Sequence, residues 1–312
     1  MLCLIWALIP FLSAFTQKES ICNQIINRNA RYSVSVYSIT NTRSYFNYQN
    51  ILGDRFKKLI QEIPHASQLD SGGGFGLAGL ERVLSDKKTQ VTIINAQDNW
   101  SLFLDPQAEK NPYFNSPERK LMVLKLMNYL DLKTRDLTEE NWKHLAILRL
   151  KAVYQKAIQS KRFHYEVGFA ENIIPNLNKN FDLITDVYGA YYYSAGRVAL
   201  LDQYYQKLSD QGSALIVTKA IEKQKTQGPE NKIKGSTLTL ENYLVQTYPE
   251  IFEIIETENS GIKNKILTMK KNSRISKLNL NEKIKLSRYW FNENTNSIMS
   301  EVPCVEWEIL QP

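Results

Sequence analysis

The chain reads as an α/β protein: a largely parallel, doubly wound sheet with helices on both faces and one antiparallel hairpin near its C-terminal end. Three observations carry this expectation. Short β-branched or apolar runs at 65–69, 90–94, 163–167, 181–186 and 213–218 alternate with stretches of helical spacing. Such alternation needs crossover connections, and these make neighbouring strands parallel. Finally, Phe252–Glu256 and Lys265–Met269 flank Asn259, Ser260 and Gly261, residues that suit a tight hairpin turn. With 312 residues, 43% of them hydrophobic and 23% charged, the chain has ample material for a core. Global disorder and a collagen-like repeat are excluded.

The elements follow in order. Residues 1–16 form an apolar N-terminus, with Leu2 to Phe15 uninterrupted except at Ser13. That run is shorter than the ~20 residues of a membrane span. It reads either as a signal-like segment or as a mis-set start, since no Lys or Arg precedes it. A cytoplasmic enzyme is the simpler expectation, and secretion follows if the segment is a signal. In that case Cys22 and Cys304 remain as an even pair able to join. Residues 17–64 read as an extension, with an alternating stretch at Tyr32–Tyr37 and a helix from Asn50 that Pro64 stops. Further helices are expected over Leu77–Ser85, from Pro117, over Thr138–Ser160, over Val198–Leu208 and over Leu238–Tyr248. The helix from Thr138 counts Leu145, Leu148, Val153 and Ile158 among its apolar positions. The tail from 272 to 312 is lysine-rich, then aromatic, and has no assignable fold.

The chemistry-bearing motif is Asp70-x-Gly72-x-Gly74-x-Gly76, placed between a strand and a helix. Glycine lets a bulky ligand approach the backbone and supplies backbone angles closed to other residues. A tight strand–helix turn without a ligand is the plain alternative. The overlapping G-x-G-x-x-G at 74–79 is a weak dinucleotide signal. It supports a second reading, an NAD(P)- or flavin-dependent oxidoreductase. An acid at the strand end argues against it, because a pyrophosphate on a helix N-terminus wants no carboxylate beside it.

From His65 to Lys271 the ordered series resembles the class I S-adenosylmethionine-dependent methyltransferases. Leu69–Gly76 resembles the family's first motif. Val91–Asn95 occupies its second strand, and Val167–Asn172 resembles its third-strand motif. Phe181–Ile184 resembles its fourth strand, and Leu208–Gly212 its turn before the fifth. The resemblance implies a Rossmann-like seven-stranded sheet with one antiparallel strand. It implies S-adenosyl-L-methionine as cofactor and methyl transfer as the activity. It would place Asp70, Gly72, Gly74 and Gly76 along the methionine half, Asn95 at the ribose, Phe169 and Ala170 by the adenine, and Asp186 under the methyl group. Two positions depart from the family pattern. Asn95 stands where an acid is usual, with Asp98 as a substitute, and Phe169 stands where Asp is frequent. A methyltransferase-like binding protein without turnover is therefore a third reading.

No catalytic residue is legible, because alignment supplies most of the rate in such a transfer. Tyr188, in the segment after the fourth strand, is a candidate for orienting the acceptor or acting as a weak base, against simple packing. The acceptor itself is open between a small molecule and a protein side chain. Residues 99–137 read as an inserted lid or as a peripheral packing layer, within a core of 65–271. Of the formal net charge of +7, a net of +6 falls between Lys219 and Arg288, where fourteen Lys and Arg face eight Glu. That span is either a solvated surface or a docking face for an anionic partner, nucleic acid included. Three cysteines without a CxxC pair and three histidines make a metal site unexpected.

Overall fold

The computed structural model describes residues 43–310 except 97, 111–116, 195, 223–224, 228–230, 260 and 291–303. The apolar N-terminus, the stretch at 32–37 and Cys22, with its expected pairing to Cys304, lie outside the described residues.

Helix α1 spans Tyr45–Glu62, five residues ahead of the expected start. Ser44 explains the difference. Its hydroxyl accepts from the Asn47 N–H at 3.2 Å, and the Asn47 side chain accepts from the Ser44 N–H at 2.9 Å. Inside α1, Gly53 takes φ +68° and kinks the helix. A Cβ there would lie 2.7 Å from the Thr257 methyl. The Thr257 hydroxyl donates to the Ile51 carbonyl at 2.6 Å, so the kink is satisfied from the sheet.

The first strand, β1, is Ser67–Ser71, two residues later than expected. Helix α2 (Leu77–Ser85) lies where expected, and β2 is Gln90–Asn95. Two helices, α3 (Ser101–Leu104) and α4 (Pro117–Tyr129), precede α5 (Trp142–Gln159). The latter starts after Thr138, because the Thr138 N–H donates to Asn141 Oδ1 at 2.7 Å and the Asn141 N–H to Thr138 Oγ1 at 3.3 Å. Its buried stripe is Trp142, Ala146, Ile147, Leu150 and Ala157, whereas Leu148 and Ile158 are exposed. Strands β3 (Phe163–Val167) and β4 (Phe181–Asp186) match the expected runs. Between them lies α6 (Ala170–Ile173), and α7 (Ala190–Tyr193) and α8 (Arg197–Lys207) follow β4. Then come β5 (Leu208–Glu222), β6 (Lys225–Gln227), β7 (Asn231–Ile233), α9 (Leu240–Thr247), β8 (Phe252–Asn259) and β9 (Ile262–Lys270). The chain closes with α10 (Leu280–Lys283), β10 (Ile284–Trp290) and β11 (Cys304–Ile309).

The main sheet runs β3-β2-β1-β4-β5-β9-β8, with β6 added on β5. Strands β3 through β5 pair in parallel, and β9 alone is antiparallel to both its neighbours. A second sheet, β10-β11-β7, is built largely from the tail. Alternation along the strands divides the apolar residues between two faces. Leu69, Ile94, Ile184, Ala214 and Leu267 pack with α6, α8 and α9, and Leu278, Leu280, Val305 and Trp307 join that cluster. Toward the opposite face, Val91 and Ile93 pack with α2, α4 and α5, while Leu183, Leu215 and Ile266 pack with α1.

Candidate functional site

The strand order reverses between β1 and β4, the place where open α/β sheets form a ligand crevice. The loop after β1 begins with the Gly72 N–H donating to the Ile94 carbonyl at 2.7 Å. Gly72, Gly74 and Gly76 take φ of +80°, +61° and +66°. A Cβ on Gly72 would stand 2.3 Å from Gly189 Cα, and one on Gly189 would stand 1.9 Å from the Ser71 carbonyl oxygen. The loops after β1 and β4 are therefore in backbone contact. Gly76 and Gly79 sit against Ile93 and Val91, where a Cβ would come within 2.6 Å. Much of the glycine content is thus required by the chain's own packing.

Two fully buried carboxylates flank that contact on opposite faces of the sheet. Asp70 faces α1. It accepts from the Tyr48 hydroxyl at 2.8 and 2.9 Å and from the Thr185 hydroxyl at 3.0 Å. Thr185 in turn accepts from the Gln68 amide at 3.0 Å. Asp186 faces α8. It accepts from the N–H groups of Gly189 and Tyr191 at 2.9 and 2.8 Å and from the Tyr204 hydroxyl at 2.7 Å. Burial pushes Asp70 up to about 6 and Asp186 up to about 7. Hydrogen bonds to the ionised forms oppose both rises.

Tyr48 escaped the sequence reading because it lies ahead of the expected helix start and is an unremarkable helical aromatic. Its partner is 22 residues away along the chain. Tyr48→Phe keeps the ring but removes the donor that serves both Asp70 oxygens. It is expected to cost about 1–3 kcal/mol, read as a lower urea midpoint at unchanged slope.

The remaining expected positions lie along the same edge. Asn95 ends β2 beside Val167, and its carbonyl accepts from the Gly168 N–H at 2.9 Å. Phe169 precedes α6 and is 48% exposed, while Ala170 is buried. Asp98 is committed elsewhere: its carboxylate accepts from the N–H groups of Trp100 and Ser101 at 3.1 and 3.0 Å, opening α3. Tyr188 has φ +52°, an uncommon conformation for a side-chain-bearing residue. Its hydroxyl bonds to Asn264, its ring carries the Arg43 guanidinium at 5.0 Å, and Tyr192 meets it edge-on at 5.9 Å. Trp100 and Phe103 from the expected lid are fully buried in the cluster that includes α2 and α5. Tyr113 and Phe114 lie outside the described residues.

Among the described residues, no group of three or more His, Cys, Asp or Glu is placed to hold a metal ion. No described helix is long and apolar enough to cross a membrane. Of the lysines in the basic span, Lys271 donates to the Tyr205 carbonyl at 2.9 Å, and Lys234 and Lys285 pair with Glu308 at 3.4 and 3.3 Å.

Along the seven-strand path β9 alone is reversed, as the class I methyltransferase resemblance implies, and β6 adds a short antiparallel strand on β5. No protein-family model matches the chain, and no curated protein matches it. Solved structures do. EvdMO1 is 12% identical with a TM-score of 0.37 over 70% of this chain, which spans 40% of EvdMO1's length. The N-terminal domain of EvdMO1, solved with S-adenosylhomocysteine and D-fucose, is 11% identical with a TM-score of 0.37, covering 72% of this chain and 84% of that one. The 1,6-didemethyltoxoflavin-N1-methyltransferase of Burkholderia thailandensis is 12% identical with a TM-score of 0.40, covering 79% of this chain and 89% of that one.

Proposed function

We propose that the chain transfers a methyl group from S-adenosylmethionine to an acceptor that is a small molecule or a protein side chain. One arrangement carries the reading. The acid–glycine turn and the Asp186 loop meet at the switch point of a sheet whose seven-strand path has one reversed strand, β9. Two buried carboxylates at that point suit a cationic ligand and oppose a pyrophosphate. The oxidoreductase reading leans on Gly76 and Gly79, and both are already accounted for by Ile93 and Val91.

The residues present fit the cofactor. The half-exposed Phe169 ring offers a face for a base, with Ala170 beside it. Asn95 offers an amide for sugar hydroxyls. Helix α2 opens on Gly76 without a side-chain cap, and such an N-terminus suits a carboxylate. In this reading Gly72, Gly74 and Gly76 shape the wall for the methionine half. Asp70 holds that wall to α1 through Tyr48, and Asp186 braces the loop facing the methyl group. When bound, the cofactor supplies a methyl group activated by a sulfonium. The protein's part is orientation and exclusion of water. Tyr188, anchored by Asn264 and Arg43, orients the acceptor.

A thermal-shift screen tests the proposal. S-adenosylhomocysteine at 100 times its Kd should stabilise the protein by about 2.7 kcal/mol, and NADH should not. Asn95→Ala should weaken the S-adenosylhomocysteine effect. Stabilisation by NADH alone would overturn the reading in favour of the oxidoreductase.

A further inference from the structure

A buried hydrogen-bond relay runs from α2 to Asp70, the acid of the glycine turn. Arg82, in the last turn of α2, donates from Nη1 to Gln68 Oε1. Gln68 donates from Nε2 to the Thr185 hydroxyl at 3.0 Å, and Thr185 donates to Asp70 Oδ1 at 3.0 Å. Strand alternation brings the members together. Gln68 and Asp70 share one face of β1, and Thr185 lies beside Asp70 on β4. All four side chains are buried.

The two ends fix the direction of the relay. A guanidinium has donors and no acceptor, so the Gln68 oxygen faces Arg82. The amide NH2 then faces Thr185 and fills an acceptor position of its hydroxyl. That hydroxyl carries one proton, and its acceptors are Asp70 at 3.0 Å and the Leu69 carbonyl at 3.5 Å. The shorter bond, to a carboxylate, takes it. With the Gln68 amide reversed, its oxygen would draw the Thr185 proton, and Asp70 would lose that donor while keeping the Tyr48 hydroxyl. Filling space does not call for a guanidinium at this place. Burial holds the Arg82 pKa below the usual arginine value, with Tyr45 and Asp86 opposing, and an apolar side chain would be buried there more easily. The other charges that bear on Asp70 are Arg43, ahead of α1, and Asp186, on the opposite face of the sheet.

We propose that Arg82 is a positioning residue that directs this relay so that Thr185 donates to Asp70, which favours a cationic ligand at the glycine turn over its neutral counterpart. The proposal rests on the cofactor reading above, in which the cation is the sulfonium of S-adenosylmethionine and the neutral counterpart is S-adenosylhomocysteine. Arg82 and Gln68 touch no ligand in this account; they act through Thr185 and Asp70.

The experiment follows the carbon-13 resonance of the Asp70 carboxyl against pH in the full, ligand-free chain, assigned by its loss in Asp70→Glu. In the unaltered protein the midpoint should fall at about 6. Gln68→Glu keeps an acceptor for Arg82 but takes the Thr185 proton, and should raise the midpoint by about one to two pH units. Arg82→Met frees the amide to turn and should raise it as well. In a Thr185→Val background neither substitution should move it further. A charge acting through space would still move it there, and that result overturns the relay. Calorimetry supplies the second readout. At about pH 6.5 the affinity for S-adenosylmethionine relative to S-adenosylhomocysteine should be about threefold lower in Gln68→Glu than in the unaltered protein. A merely structural role would weaken both ligands alike and leave their ratio unchanged, which also overturns the proposal. If the unaltered protein binds neither ligand, the cofactor reading falls and takes the inferred preference with it; an unmoved midpoint in a protein that binds both overturns the inference alone. Should the variants not fold, the Gln68 amide protons of the unaltered chain decide. Their nuclear Overhauser contacts should be strongest to the Thr185 side chain, and strongest contacts to the Arg82 guanidinium overturn the proposal.

Discussion

Trp100→Ala is expected to destabilise the protein by about 3–5 kcal/mol, the range for emptying a fully buried Trp site. Trp100 has no exposed surface. Its ring stacks on Tyr154 with centroids 4.3 Å apart and meets Phe75 edge-on at 5.4 Å. Phe103 closes the group at 5.9 Å. The variant also leaves the Phe75 carbonyl without its indole donor. Because Phe75 lies within the glycine turn, loss of S-adenosylhomocysteine binding should accompany the loss of stability. Urea unfolding gives the first effect and calorimetry below the transition the second. The same contacts bear on the segment 99–137. Residues of α3 and α4, including Val123, Leu126 and Met127, belong to the core cluster of α2 and α5. Deleting the segment should therefore abolish folding, not only acceptor selectivity. A folded deletion protein that still binds cofactor would refute this account.

Asp186→Asn should flatten the pH dependence of stability between pH 4 and pH 8. The folded carboxyl is held at about 7, above the 3.8 of the free side chain, chiefly by burial. The native state therefore keeps a proton that the unfolded chain releases. The stabilising contribution is complete below about pH 4 and is lost as pH rises through about 7. For one buried group this amounts to something on the order of 4 kcal/mol. Asp70, held at about 6, adds to the same slope, and the two carboxyls repel each other when both are ionised. Guanidinium unfolding of the variant and the unaltered protein at pH 5 and pH 8 measures the difference. A ligand carrying a sulfonium cation should favour the ionised pair. Its affinity relative to neutral S-adenosylhomocysteine should thus rise over the interval in which the unliganded protein weakens. Parallel pH profiles for the two proteins would rule out Asp186 as the source.

Much of the fold was legible because its signals are local. Helix α2 and strands β3 and β4 fall on the expected residues, since glycine punctuation and β-branched runs act over neighbouring positions. Boundaries moved where side chains competed for backbone groups. Ser44 extended α1, and the Thr138–Asn141 exchange delayed α5. The tail carried no readable signal, because β7 and β11 pair across more than seventy residues, and short strands show little periodicity of their own.

At the candidate site, residue types singled out the glycine turn and its acid, because glycine and carboxylate are rare at strand ends without cause, whereas Asp186 entered only through the methyltransferase resemblance. What each residue touches was decided only by the tertiary structure. Asp70 is held by a tyrosine from α1, one Asp98 oxygen accepts from the backbone at the start of α3, and several glycines are filled by neighbouring backbone and Ile93. Tyr165 from β3 and Trp100 from just ahead of α3 bind the turn, through hydroxyl and indole groups that no sequence pattern marks. Local propensity depends on a few adjacent side chains. A buried hydrogen bond depends on which distant segments the packed core brings within 3 Å, and that appears only when the sheet is assembled.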